Sequence, residues 1–178
     1  MSLVLLILIT TSLAYAGAPA PVGVEVAGAL SKPGSWTVDR IKSELADQIK
    51  AVEYTSHGDK HTSNAVPLLS LLKASGLAAD LKMDPKADPG TKNMPLRMIV
   101  LVQGADGYTV TFSLAELLGD IGAKDVWVCL DADGKPLDDK DGPLRLIVPS
   151  DAKPGRWVHA VARITVIDPT AATSRPVK

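Results

Sequence analysis

Hydrophobic positions along the chain fall into short runs whose spacing changes between two and nearly four, the pattern of a domain that mixes strands with short helices. Val22, Val24 and Val26 alternate with smaller or polar residues and predict a strand that ends at the turn-forming Ser31-Lys32-Pro33-Gly34. Ile41, Leu45 and Ile49 recur every four residues and predict a helix, with Asp39 placed to cap its start or complement its dipole. Ala51 to Thr55 predicts a second strand that runs into a polar turn from Ser56 to His61. Pro67 suits the first position of a helix carrying Leu68, Leu69, Leu71 and Leu72, which Gly76 stops.

Farther along, Asp80 to Lys92 reads as a polar loop that is too short to divide domains. Leu96 to Gln103 is nearly all apolar and predicts a strand covered on both faces, which Asp106-Gly107 turns into a partner strand, Tyr108 to Phe112. Ser113-Leu114-Ala115-Glu116 matches a capping box, opening a helix that ends near Gly119 to Gly122. Val126 to Leu130 and Leu144 to Val148 predict two further strands, separated by the polar stretch Asp131 to Asp141, and Pro149 ends the second. Trp157 to Ile167 predicts a last strand with Val158, Ala160, Ala162, Ile164 and Val166 on its core face and His159, Arg163 and Thr165 on the wetter one. Pro95 to Val100 echoes Pro143 to Val148, a reuse of one local unit and not a solenoid, since two copies cannot stack into a repeat core. The expected fold is α+β, a mixed β-sheet with a barrel-like core and a few short helices.

Composition narrows the function classes. The 178 residues carry a net charge of −1, and no basic run interleaves with aromatics, so nucleic acid is not an expected partner. The single cysteine, Cys129, excludes an intrachain disulfide and every multi-cysteine zinc or iron–sulfur framework. No Gly-x-Ser-x-Gly elbow, phosphate loop, dinucleotide fingerprint or His-Glu-x-x-His helix is present. At the start, Leu3 to Ile9 is too short to span a bilayer but fits the apolar centre of an export signal, and Ala14-Tyr15-Ala16 supplies the small residues of a cleavage site. We therefore expect a signal peptide over 1–16, one domain over 17–168 and a loose tail over 169–178. The mature protein is expected to be periplasmic or secreted, with no membrane span after cleavage.

Several clusters have the chemistry of a site. His57, Asp59 and His61 combine imidazole with carboxylate, as a metal site does, but Gly58 between them equally fits a solvated hairpin turn; His159 joins them only if the fold brings it there. Asp131, Asp133, Asp138, Asp139 and Asp141 form either a calcium-binding or a solvated acidic loop, without the spacing of the helix–loop–helix calcium motif. Cys129, bracketed by Val126, Trp127, Val128 and Leu130, is expected inside a sheet as filler, its alternative being a reactive thiol or metal ligand. Arg145 enters an otherwise apolar strand and needs a carboxylate, carbonyl or phosphate, so it makes either a structural salt bridge or an anion or cofactor contact. Arg97 has a similar setting and reads as structural.

Gly34-Ser35-Trp36-Thr37-Val38, Ala65-Val66-Pro67-Leu68-Leu69, Asp106-Gly107-Tyr108, Phe112-Ser113-Leu114-Ala115-Glu116, Asp133-Gly134-Lys135-Pro136-Leu137 and, most specifically, Gly142-Pro143-Leu144-Arg145-Leu146-Ile147-Val148-Pro149 together resemble the oxidoreductase molybdopterin-binding domain of the sulfite oxidase family. The likeness covers most of the mature chain and is strongest to small, exported, stand-alone members. In the family's enzymes a cysteine thiolate just after the second strand ligates molybdenum; its place here falls near Tyr54, Thr55 and Ser56, where no cysteine stands. The resemblance places Arg145 at the arginine that holds the pterin phosphate, Lys140 where a histidine often precedes it, and His159 where a lysine faces the cofactor. It therefore implies a scaffold for molybdopterin without its metal ligand. We expect a non-catalytic binding or accessory module with a pocket between the His57–His61 turn, the Arg145 strand and His159, taking a small anionic ligand or pterin. The alternative is a molybdopterin-dependent oxidoreductase that works with a separate heme or membrane electron carrier, a periplasmic redox partner.

Overall fold

The computed structural model describes residues 22–78 and 93–170, with Leu81, Lys86 and Asp88 between them. The expected signal peptide, most of the Asp80–Lys92 loop and the tail beyond Thr170 lie outside the described residues. Within them, β1 (Val24–Gly28), β2 (Gly34–Trp36), α1 (Val38–Glu44), β3 (Lys50–Ser56), β4 (Asp59–Pro67), α2 (Leu68–Ala74), α3 (Met94–Arg97), β5 (Ile99–Gly104), β6 (Thr109–Ser113), α4 (Leu114–Leu117), β7 (Trp127–Cys129), β8 (Arg145–Ile147) and β9 (Val161–Ile167) follow in order. They form a five-stranded sheet, β2-β1-β9-β5-β6, and a four-stranded sheet, β3-β4-β7-β8. The first sheet is mixed, since β1 runs parallel to β9 whereas β9 pairs antiparallel with β5, and the second pairs antiparallel throughout. One apolar cluster includes Val24, Val26, Val100, Ile164 and Val166 of the first sheet with Val52, Val66, Val128 and Leu146 of the second. The fold is thus the expected α+β arrangement, built on open sheets.

Most elements follow their local chemistry. Thr37, not Asp39, caps α1, its hydroxyl accepting from the Arg40 N–H at 3.2 Å, while Asp39 sits in the first turn where its charge suits the dipole. The four-residue period stops paying out at Glu44: Ala46–Gln48 tightens into a 3₁₀ turn, and Ile49 is already extended at the entrance to β3. The Ser113–Glu116 capping box forms as expected. At the end of β1, Gly28 has φ +97°, and a Cβ there would stand 2.0 Å from the Val166 carbonyl oxygen, so close pairing with β9 requires glycine.

Three expectations change. The polar segment after Thr55 is a two-residue turn, His57-Gly58, and Asp59 to Pro67 is a long strand that the pattern hid because its inward residues include the small Ser63 and Ala65. Leu96 is half exposed in α3 because Pro95 starts a helical turn, so β5 begins at Ile99 and has one covered face, not two. The last strand begins at Val161: Ala160 takes φ +42°, a register shift falls at Gln103/Gly104, and Val158 instead bridges Leu146 of β8. Trp157 and His159 consequently belong to the edge of the second sheet, where the candidate site lies.

Candidate functional site

The second sheet brings aromatic, basic and acidic side chains together at one end. On β3, Val52 and Tyr54 point inward, and the hairpin register sets His61 opposite Tyr54, with the two rings stacked at 5.4 Å. Trp157 meets Tyr54 edge-on at 5.6 Å and donates its indole N–H to the Val148 carbonyl. On β8, Arg145 stands opposite Cys129 of β7, and its guanidinium lies 5.6 Å from the Tyr54 ring and 5.3 Å from the Trp157 ring. Nη1 of Arg145 donates to Asp141 Oδ2 at 2.8 Å, and the other oxygen of Asp141 is hydrogen-bonded to His159 Nδ1. Asp141 thus joins the buried arginine to a part-exposed imidazole. Arg145 Nε is buried and meets no acceptor among the described residues, a cost that the two rings partly offset.

Of the residues singled out by sequence, Arg145, His159 and His61 are therefore gathered around Tyr54 and Asp141. His57 stands exposed on the hairpin turn with φ +54°, and Lys140 is exposed in the Asp138–Asp141 turn; neither joins the cluster. The acidic loop is not merely solvated. Asp133 accepts from His61 Nδ1 and from the Thr62 N–H, which together hold its carboxyl below the usual carboxylate range, and Asp131 accepts twice from Asn64. These carboxylates extend the pairing of β4 beyond β7. Among the described residues no group of three or more His, Cys, Asp or Glu side chains is placed to hold a metal ion. Arg97 is structural as read, paired with Asp168 at 3.2 Å.

An open cleft of about 490 Å³ adjoins the cluster, lined by Tyr54, Thr55 and Lys60 from the hairpin and by Asp151, Lys153 and Trp157 from the segment after β8. None of the five cofactor candidates lines it. In the sequence Tyr54 stands only at the place of a missing cysteine and Trp157 only at a strand start; their common signal, large aromatic residues flanking a buried arginine, needs the tertiary register to be seen. The far wall is pinned. Arg156 donates to both oxygens of Asp151 and to Glu116, lies over the Phe112 ring, and Lys124 pairs with Asp151 at 2.8 Å. Tyr108 adds a hydrogen bond to the Gly155 carbonyl.

Asp151 gives this wall a pH limit. The hydrogen bond from Arg156 draws its pKa from 3.8 down to about 2 against the opposing effect of burial. A depressed folded-state pKa contributes stability that is present above 3.8 and is lost as pH falls toward 2, about 1 to 2 kcal/mol once solvent screening is allowed for. Urea titrations of Asp151→Asn and the parent are expected to differ by that amount at pH 7 and to converge only as pH falls through and below about 2; equal stabilities at pH 7 would show the wall does not depend on this carboxylate.

An α+β domain of two open sheets with an arginine-centred cluster beside a cleft defines the class. The chain belongs to the oxidoreductase molybdopterin-binding domain family, whose model matches residues 19–174. No curated protein matches it. The donor set fits the family's metal centre poorly: Cys129 is 1% exposed, and burial pushes its thiol up to about 11, so it stays protonated where a metal needs a thiolate. A phosphate reaching Arg145 would compete with Asp141 for the same guanidinium. Among the described residues no helix is long and apolar enough to cross a membrane.

Proposed function

We propose that this member of the family is an exported binding or accessory module that performs no oxygen-atom transfer of its own. Cys129 carries the reading: the chain has one thiol, and it is buried in β7 and held protonated, while the position at which the resemblance expects the molybdenum ligand, Tyr54 to Ser56, offers a phenol and two hydroxyls. In this reading Arg145 is the anchor of the site's floor, tied to Asp141 and His159, and Lys60 and Lys153 provide the positive charge offered to an anionic ligand or partner at the cleft.

The test is elemental analysis for molybdenum and tungsten, with pterin fluorescence after acid oxidation, on protein exported from a host that makes the cofactor. Background levels in folded protein are expected. Metal and pterin near one equivalent would overturn the reading in favour of an oxidoreductase coupled to a separate electron carrier. The same preparation tests export, since intact mass is expected to place the mature start at Gly17.

A further inference from the structure

We propose that the free edge of β3 is a docking site for an extended peptide of a partner protein, which adds to the second sheet as a further strand and presents acidic side chains to Lys60 and Lys153. This deepens the binding-module reading and rests on it. The ladder itself exposes the edge. Ser56 and Asp59 flank the two-residue turn and pair directly, so hydrogen-bonded pairs alternate back along the hairpin through Tyr54 with His61, Val52 with Ser63 and Lys50 with Ala65. Thr62 and Asn64, between those pairs, duly bond the other way, to Asp133, Asp131 and Leu130. On β3 the residues between are Ala51, Glu53 and Thr55; their N–H and C=O groups point off the sheet, all three are exposed, and none has a backbone partner elsewhere among the described residues.

That edge faces a groove. The cleft beside Tyr54 and Trp157 meets a second cavity of about 490 Å³ along Lys50–Glu53, and the two share Glu53 and Pro149. Together they follow six residues of β3, about 20 Å of extended chain, between the strand and the segment from Pro149 to Pro154. Because Arg156, Lys124 and Tyr108 pin that segment, the groove is formed before a partner arrives, which lowers the entropic cost of docking. Exposed edges of this length are usually blunted or covered. Asp151 is already neutralised by Arg156 and Lys124, whereas Lys60 and Lys153 are in no ion pair among the described residues, which leaves the cleft lining at the Trp157 end with two unpaired cations against one unpaired carboxylate, Glu53. Main-chain pairing would supply affinity and those lysines selectivity, as in other strand-addition recognition.

The test is selection from a phage-displayed library of random peptides about nine residues long, against the mature chain and against Glu53→Pro. Proline at position 53 removes an outward N–H and leaves the bonds to β4 from positions 50, 52, 54 and 56 in place. Peptides with acidic residues are expected from the parent, with affinity at least about tenfold weaker for Glu53→Pro at an unchanged melting temperature. Reversing both lysines (Lys60→Glu with Lys153→Glu) is expected to remove the acidic preference. If Glu53→Pro disturbs folding, N-methylation of alternate residues of the selected peptide tests the same bonds from the other side. No enrichment, or binding that survives both blocks, overturns the proposal; so does a dimer in sedimentation that Glu53→Pro dissolves, which assigns the edge to a second copy. Metal-free protein that selects nothing defeats this inference alone, whereas stoichiometric metal and pterin defeat the reading beneath it.

Discussion

Arg145→Ala is expected to destabilise the domain by about 3 kcal/mol in urea unfolding at pH 7, the lower part of the range for breaking a buried ion pair. Arg145 is 7% exposed and lies against the rings of Tyr54 and Trp157, so truncation opens a void under both as well as removing a charge. Asp141 then keeps His159 as a partner but loses the guanidinium. Two effects hold the loss below the upper limit of about 5 kcal/mol: the Asp141 side chain is 20% exposed and draws on solvent, and the unpaired Nε of Arg145 disappears with the side chain. Replacing the pair together, Arg145→Met with Asp141→Leu, is expected to recover part of the loss, as apolar substitution of a whole buried pair often does. A residue that served as a ligand contact without structural work would instead leave stability within about 0.5 kcal/mol, so a small effect would take Arg145 out of the anchoring role.

What the sequence made legible, and what it hid, follows from how locally each feature is determined. The Ser113–Glu116 box and the hairpin of β5 and β6 depend on residues a few positions apart, and both are read directly. β4 was hidden because Ser63 and Ala65 are small and the histidines before them look like a turn, although Ser63 and Ala65 are fully buried. The break before β9 depends on the pairing of Val158 with Leu146 across the other sheet, which no periodicity along 157–167 reports. At the site, Arg145 was legible because a lone cation in an apolar strand must find a counter-charge. Its partner Asp141 was visible only as one acid among five, and Tyr54 gains its meaning from the register with His61 and the approach of Trp157. The β3 edge, unpaired among the described residues, was invisible for the same reason that β4 was: an edge exists only relative to a ladder.

Cys129 is expected to react with iodoacetamide about 100-fold more slowly in the native protein than an unburied thiol at the same pH, from ionisation alone. Burial raises its pKa from 9.0 to about 11, with a hydrogen bond to Ser63 and the charge of Arg145 working in the opposite direction and losing. Two units lower the thiolate fraction by two orders of magnitude at neutral pH, and 1% exposure hinders the reagent further. Native rates should therefore climb with pH without levelling off below about 10, whereas protein in urea should level off near the ordinary thiol range. The sign also bears on stability: a thiol harder to ionise in the fold than in the open chain makes the fold lose stability as pH rises from 9.0 toward 11. Rapid, stoichiometric labelling of folded protein at pH 8 would mean that a thiolate is present and reachable, and the case against a sulfur-bound metal would fall with it. Slow labelling would instead leave a metal centre of the family's thiolate type without its sulfur, because the chain has no other cysteine to offer.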